Sequence, residues 1–277
     1  MFAKVNGIQL AYTDEGEGLP MVLLHGFPLS RGAWSKQVEA FKGRHRVITP
    51  DLRGFGESES TSGIVSMQRL AEDIHALTEQ LATGPVILAG HSMGGYVALA
   101  FANAFPKALR GLMLVATKAG TDSSEAAAAR HALAEKVRAQ GPAVVVDAMA
   151  PKMLAAGNAD ARMAAAVRGI MKNASTEGVI ATLLGMAERP DENDRLDQIR
   201  VPTLVIAGSE DTVIPPSESE ALAKAIPGAQ LVLIPRAGHL VAFEQARAFN
   251  DAVRNWLAWG SHGLARSLSS SATDFLT

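Results

Sequence analysis

The chain has 277 residues, enough to bury a sizeable core either as two small domains or as one large α/β domain with an insertion. Its 26 basic and 28 acidic residues nearly balance, and no basic stripe or like-charge block stands out, which argues against nucleic acid as a partner. Cysteine is absent, so disulfides, thiol catalysis and cysteine-ligated metal or iron–sulfur sites are excluded and a reducing compartment fits.

From the N-terminus, Ala3 to Val5 and Ile8 to Tyr12, joined at Asn6-Gly7, predict a β-hairpin. The first residues lack the apolar stretch of a signal peptide, and no later run approaches the roughly 20 apolar residues that span a bilayer. The expectation is a soluble cytoplasmic protein with no membrane partner. After a turn at Asp14 to Gly18, Met21 to Leu24 reads as a buried strand leading into the loop His25-Gly26-Phe27-Pro28. Trp34 to Phe41 reads as a helix, Arg46 to Thr49 as a strand, and Asp51 to Gly56 as a glycine-punctuated loop. Met67, Leu70, Ile74, Leu77 and Leu81 recur at three and four residues and mark an amphipathic helix.

Val86 to Ala89 is a second buried strand, and Tyr96 to Phe101 reads as a buried helix. Between them lies Gly90-His91-Ser92-Met93-Gly94, a G-x-S-x-G. The pattern alone is weak, but a strand before it and a helix after it are what a nucleophile elbow requires. A strand turning sharply into a helix strains its apex residue, and glycines on either side let the two elements approach. Ser92 would then sit at a helix N-terminus, where free N–H groups face developing negative charge. Leu112 to Ala116 follows as another buried strand, so strand and helix alternate as in a parallel sheet covered on both faces.

From Lys118 to Pro190 alanine, methionine and charged residues dominate, and no Phe, Tyr or Trp occurs. Apart from the strand-like Val144-Val145-Val146, the segment reads as three to five short helices forming an inserted cap. Alternation resumes with a strand at Thr203 to Ala207, a helix at Ser217 to Ile226, a strand at Leu231 to Ile234 and a helix from about Phe243 to Leu257. The expected organisation is a core over 1–117, a cap over 118–192, the rest of the core over 193–260, and a loose, serine-rich tail over 261–277.

A serine hydroxyl needs a base to take its proton and a third group to hold that base in the right tautomer. In this fold class the order is Ser, then Asp or Glu, then His. Asp211 and His239 lie in loops directly after the strands ending at Ala207 and Ile234, at the sheet edge that carries Ser92. Glu210 is the main competitor for the acid, with Asp122 behind it. Only His239 and His262 follow the acid, and His262 is in the tail. His91 is a packing and hydrogen-bonding neighbour, and His45, His75 and His131 read as surface residues. Two N–H groups are needed for the oxyanion: Met93, after the nucleophile, and Phe27, because Pro28 has no N–H to give. Met149, Met153, Met163, Met171 and Met186 lie in the cap, and thioethers among alanines can line an adaptable apolar pocket. Met149, Met153, Met171 and Met186 are therefore the candidate substrate-binding residues, with plain packing of the cap helices as the alternative. No phosphate-binding or dinucleotide-binding glycine motif occurs.

These segments, with His25-Gly26-Phe27-Pro28-Leu29-Ser30, Asp51-Leu52-Arg53-Gly54-Phe55-Gly56-Glu57-Ser58, Gly90 to Gly95, Gly208-Ser209-Glu210-Asp211 and Gly238-His239, resemble the serine hydrolases of the α/β-hydrolase superfamily over about Phe2 to Trp259. The resemblance implies a mostly parallel eight-stranded sheet with helices on both faces and an inserted helical cap. It also implies hydrolysis of a small-molecule ester or lactone without cofactor or metal. Within the superfamily the chain is similar to small carboxylesterases, to 3-oxoadipate enol-lactone hydrolases and to cofactor-free haloperoxidases, whose Pro28-type loop implies a perhydrolase side activity. Epoxide hydrolases and haloalkane dehalogenases carry aspartate in place of Ser92, and carbon–carbon hydrolases often carry asparagine in place of His91. A small-molecule receptor on the same fold is the non-enzymatic alternative, and oligomeric state is left open.

Overall fold

The computed structural model describes residues 1–158 and 160–270. It contains an eight-stranded sheet in the order β1-β2-β4-β3-β5-β6-β7-β8. The strands are β1 (Phe2–Val5), β2 (Ile8–Glu15), β3 (Leu19–Leu24), β4 (His45–Pro50), β5 (Val86–His91), β6 (Leu109–Val115), β7 (Thr203–Gly208) and β8 (Gln230–Ile234). Pairing is antiparallel at β1/β2 and β2/β4 and parallel elsewhere. The opening hairpin pairs Val5 with Ile8, and Asn6 and Gly7 both take positive φ, 43° and 82°, as a two-residue turn matching the strand twist requires.

Central strands read as unbroken apolar runs because helices cover both faces, and β5 and β7 are buried along their whole lengths. Period-two alternation then deals their side chains into two cores. Val22, Leu24, Leu88, Leu112 and Val205 pack under α2 (Met67–Gln80), α3 (Met93–Ala104) and α8 (Pro216–Ala225). Met21, Leu23, Ile87, Met113 and Leu204 pack under α1 (Ser35–Phe41) and the long helix near the C-terminus. The amphipathic spacing of α2 buries Met67, Leu70, Ile74 and Leu77, and Ser66 caps the helix by accepting from the Arg69 N–H.

Between β6 and β7 the chain forms α4 (Ser124–Gln140), α5 (Ala143–Met149), α6 (Ala161–Met171) and α7 (Thr176–Ala187). Three of these have the expected N-cap, in which Ser123, Asp160 and Ser175 accept from the N–H three residues on. The strand-like Val144-Val145-Val146 is helical in α5: packing against α4 overrides β propensity in so short a run. This segment rests directly on the loop after β4. A Cβ on Gly178 would lie 2.3 Å from the Gly54 carbonyl oxygen, so neither backbone could be held off by a side chain.

The helix expected from about Phe243 is two helices, α9 (Val241–Glu244) and α10 (Ala246–Ser270), interrupted at Gln245. Helix α10 runs past Gly260, where the loose tail was expected to begin, and 271–277 of that expected tail lie outside the described residues. Among the described residues no helix is long and apolar enough to cross a membrane. Strand order reverses at β3, whose neighbours β4 and β5 lie on opposite sides, so the loops after β3 and β5 flank a topological switch point.

Candidate active site

Ser92 occupies that switch point, at the junction of β5 and α3, with φ 53° and ψ −116°. Such a backbone costs about 1–3 kcal/mol for a non-glycine residue and persists only where its surroundings over-determine it. The Ser92 N–H donates to the Val115 carbonyl (2.8 Å), while its own carbonyl accepts from the Gly95 N–H (2.8 Å) and the Thr117 hydroxyl (2.8 Å). A Cβ on Gly90 would stand 2.1 Å from the Gly94 carbonyl oxygen, and one on Gly94 would stand 2.5 Å from that of Leu24. The motif glycines are there because two backbones meet across the turn.

Asp211 and His239 come to Ser92 from the loops after β7 and β8. Ser92 Oγ lies 2.9 Å from His239 Nε2, and His239 Nδ1 lies 2.8 Å from Asp211 Oδ2. A carboxylate can only accept, so Nδ1 carries the ring proton and Nε2 presents its lone pair to the serine hydroxyl. Asp211 Oδ1 accepts from the Val213 and Ile214 N–H groups at 2.8 and 3.0 Å. Burial alone would raise its carboxyl, but the His239 bond and these two N–H groups outweigh burial and hold it below the usual carboxylate range. Glu210 is exposed and its carboxylate has no hydrogen-bond partner among the described residues, and Asp122 is paired with Arg130 and Arg189.

Three further buried groups hold this array: the sequence marks His91 as a hydrogen-bonding neighbour and His25 as part of the loop after β3, and does not mark Glu244. His91 Nε2 donates to the His239 carbonyl (2.9 Å) and steadies the backbone of that residue. His25 Nδ1 donates to the Gly26 carbonyl and its Nε2 accepts from the Leu52 N–H, both at 2.9 Å, linking the loops after β3 and β4. Glu244 accepts from the Gly238 N–H (2.6 Å) with one oxygen and from the Ala155 N–H (2.9 Å) and Asn158 amide (2.8 Å) with the other. It thereby ties the His239 loop to the segment between α5 and α6. Elsewhere His75 is not a free surface residue: its ring stacks on Phe105 at 3.9 Å.

The buried imidazoles make stability pH-dependent. Burial, and then the neighbouring His239, lower His91 to about 3, and burial lowers His25. In the unfolded chain each imidazole takes up a proton near pH 6.5, which the folded chain refuses. Their contribution is thus complete above about pH 6.5 and is lost as pH falls from there towards the folded values, at up to about 1.4 kcal/mol per pH unit for each histidine. Urea unfolding between pH 7.5 and pH 4.5 is expected to show this slope. His91→Gln, whose amide can donate to the same carbonyl, is expected to remove about one proton's share; an unchanged slope would refute the assignment.

The loop after β3 turns through a Leu29 N–H to Gly26 carbonyl bond (2.8 Å), leaving the Phe27 N–H without a partner among the described residues. The Met93 N–H, in the first turn of α3, is likewise unbonded. Phe27, Ser92 and Met93 line one cavity of about 270 Å3. Of the candidate methionines, Met149 and Met186 also line it. Met153 and Met171 do not: they are buried in a separate cluster with Leu29 and Phe243, packing the inserted helices against the loops below. The cavity is also less apolar than the Met and Ala content predicts, because Lys118, Asp122, Arg130 and Glu218 reach it. Among the described residues no three His, Asp or Glu side chains gather as they would around a metal ion.

A mostly parallel sheet covered on both faces, with a Ser–His–Asp chain at the carboxyl ends of its strands, defines the class of an α/β hydrolase. The chain belongs to the alpha/beta hydrolase fold family, whose sequence model matches residues 20–246. It is similar to a thermophilic esterase from Thermogutta terrifontis, with 44% identity, a TM-score of 0.89, and coverage of 93% of this chain and 96% of that one. It is similar at 29% identity to the enol-lactonase from Burkholderia xenovorans LB400 (TM-score 0.87, covering 93% and 100%). At 26% identity it resembles a bromoperoxidase from Bacillus anthracis (TM-score 0.83, covering 93% and 99%).

Proposed function

We propose that this hydrolase is a carboxylesterase that cleaves esters of small to medium acyl chains through an acyl-enzyme on Ser92. The observation that carries the reading is the unbroken chain of Asp211, His239 and Ser92 at 2.8 and 2.9 Å, opening on a cavity where two N–H groups lack partners among the described residues. In the first half-reaction Ser92 Oγ attacks the carbonyl carbon while its proton passes to His239 Nε2, and Asp211 stabilises the imidazolium that forms. The oxyanion accepts from the Phe27 and Met93 N–H groups at the positive end of α3. Collapse expels the alcohol, which takes the proton from His239. A water then gives a proton to the same nitrogen, attacks the acyl carbonyl and releases the acid, with Ser92 recovering its proton.

A lactone is a cyclic ester and would follow the same steps, its alcohol staying attached to the acid. The enol-lactonase neighbour supports that second reading. Residues 118–192 act in this scheme as a cap that closes the cavity from above. The test is a p-nitrophenyl ester series from acetate to palmitate. With a cavity of about 270 Å3, kcat/KM is expected to be highest among the short acyl chains and to change by about 1–3 kcal/mol or less per methylene. Palmitate is expected to be a poor substrate; a maximum at palmitate, or no turnover of any ester, would refute the proposal.

A further inference from the structure

Asp122, on the loop between β6 and α4, is the centre of an ion cluster at the cavity wall. Its side chain is 3% exposed and meets three cations: Arg130 Nε in a short hydrogen bond, Arg189 Nη2 at 3.0 Å and Lys118 Nζ at 3.5 Å. Arg189 alone would neutralise it. That guanidinium is also 3% exposed, its terminal nitrogens donate to the Met186 and Gly120 carbonyls, and its central carbon lies 4.2 Å from the centroid of the Tyr96 ring. Asp122 and Arg189 thus form a buried ion pair, with Arg189 Nε left without a hydrogen-bond partner among the described residues.

Arg130 and Lys118 are then surplus to neutralising Asp122, and they differ from Arg189 in where they point. Each is about a quarter exposed, at 24% and 23%, and both line the cavity that holds Ser92, which Arg189 does not. Arg130 Nη2 has no partner among the described residues, and its Nη1 reaches only the Met186 sulfur at 3.5 Å, a weak acceptor. Lys118 Nζ makes no hydrogen bond there beyond its long contact with Asp122. Glu218 supplies the other carboxylate on the wall, so the wall carries two cations and two carboxylates, while Arg189 behind it supplies a third cation to Asp122.

We infer that the substrate carries a carboxylate besides its scissile ester or lactone, and that Arg130 and Lys118 receive it. The inference rests on the ester-hydrolase reading above and narrows it to anionic substrates. A carboxylate here would take charge-assisted hydrogen bonds from Arg130 Nη2, which has no acceptor among the described residues, and from Lys118 Nζ, whose contact with Asp122 is long, in a confined space where solvent screening is reduced. A neutral ester would leave the same donors to water.

The test uses matched substrate pairs that differ at one terminal group, a carboxylate against a neutral methyl or carboxamide. On the acyl side, mono-4-nitrophenyl glutarate is set against 4-nitrophenyl valerate. On the alcohol side, 4-acetoxybenzoate is set against 4-acetoxybenzamide. In one of the two pairs the anionic member is expected to have a kcat/KM about tenfold higher. That ratio is expected to fall about tenfold in Arg130→Gln and to stay within about threefold of the original in Arg130→Lys, which keeps the charge and loses the fork. Ratios at or below one in both pairs, or a ratio that Arg130→Gln leaves unchanged, would overturn the inference. Neutral esters turned over through Ser92 with no anionic preference would refute this step and leave ester hydrolysis standing. If no ester is turned over, calorimetric titration of the Ser92→Ala protein with glutarate decides recognition on its own: binding that weakens about tenfold on adding Arg130→Gln supports it, and absence of binding overturns it.

Discussion

Replacing Ser92 with alanine is expected to lower kcat by about 10⁵ to 10⁶-fold, the scale seen when the nucleophile of a serine protease is removed. The loss is large because nothing else at the site can take over. His239 Nε2 would face a methyl group, and the acceptor of the acyl chain would be gone while the Phe27 and Met93 N–H groups stayed in place. The fold should survive, since the Ser92 backbone is held by Val115, Gly95 and Thr117 rather than by its own hydroxyl. Alanine does inherit the positive φ of 53°, so part of the local strain remains. Steady-state kinetics on a short p-nitrophenyl ester measures the fall, and a fluorophosphonate should label only the peptide containing Ser92 in the parent protein. Residual activity within tenfold of the parent, or an adduct on another serine, would remove Ser92 from the mechanism.

Asp211→Asn is expected to cost about 10⁴-fold in kcat while leaving the fold intact. The asparagine oxygen can still accept from the Val213 and Ile214 N–H groups, which is what the loop after β7 needs from this side chain. Its amide nitrogen, however, would face His239 Nδ1, and two donors cannot share that contact. The imidazole would move its proton to Nε2, the nitrogen that must accept from Ser92. Glu210→Gln is the control. That residue is exposed and, among the described residues, bonds only through its backbone N–H to Ala237, so its effect should stay within about twofold. A crippling Glu210→Gln with a mild Asp211→Asn would reverse the choice of carboxylate.

The sequence names both carboxylates but ranks them on position alone, and the geometry gives that ranking a physical basis. Asp211 is turned inward because its other oxygen caps the turn at Val213 and Ile214, a local constraint written into Asp211-Thr212-Val213-Ile214. Glu244 had no such marker. It sits in a short helix, five residues after His239, and becomes a support for the Gly238 N–H where the helix is interrupted at Gln245 and the segment carrying Ala155 and Asn158 comes down upon it.

The positions of the strands, the elbow and the loops that carry Ser92, Asp211 and His239 were legible in the sequence, since each rests on short-range physics, whereas the order of the strands in the sheet came only from the tertiary structure. Apolar runs of four to six residues make buried strands, paired turn residues set the hairpin, and glycines mark where backbones must touch. The lining of the cavity was decided only by tertiary structure. Met149 and Met186 reach it while Met153 and Met171, of identical chemistry, are spent on packing the inserted helices over Leu29 and Phe243. Lys118 and Arg130 look in sequence like ordinary charges on a loop and a helix, and Asp122 like a distant candidate for the catalytic acid. Only when α4 and α7 pack together does Arg189, far along the chain, close on Asp122 and leave the other two cations facing the cavity. Composition states how many such groups exist, and their direction depends on which helix face is covered, a property of the assembled chain rather than of any local run.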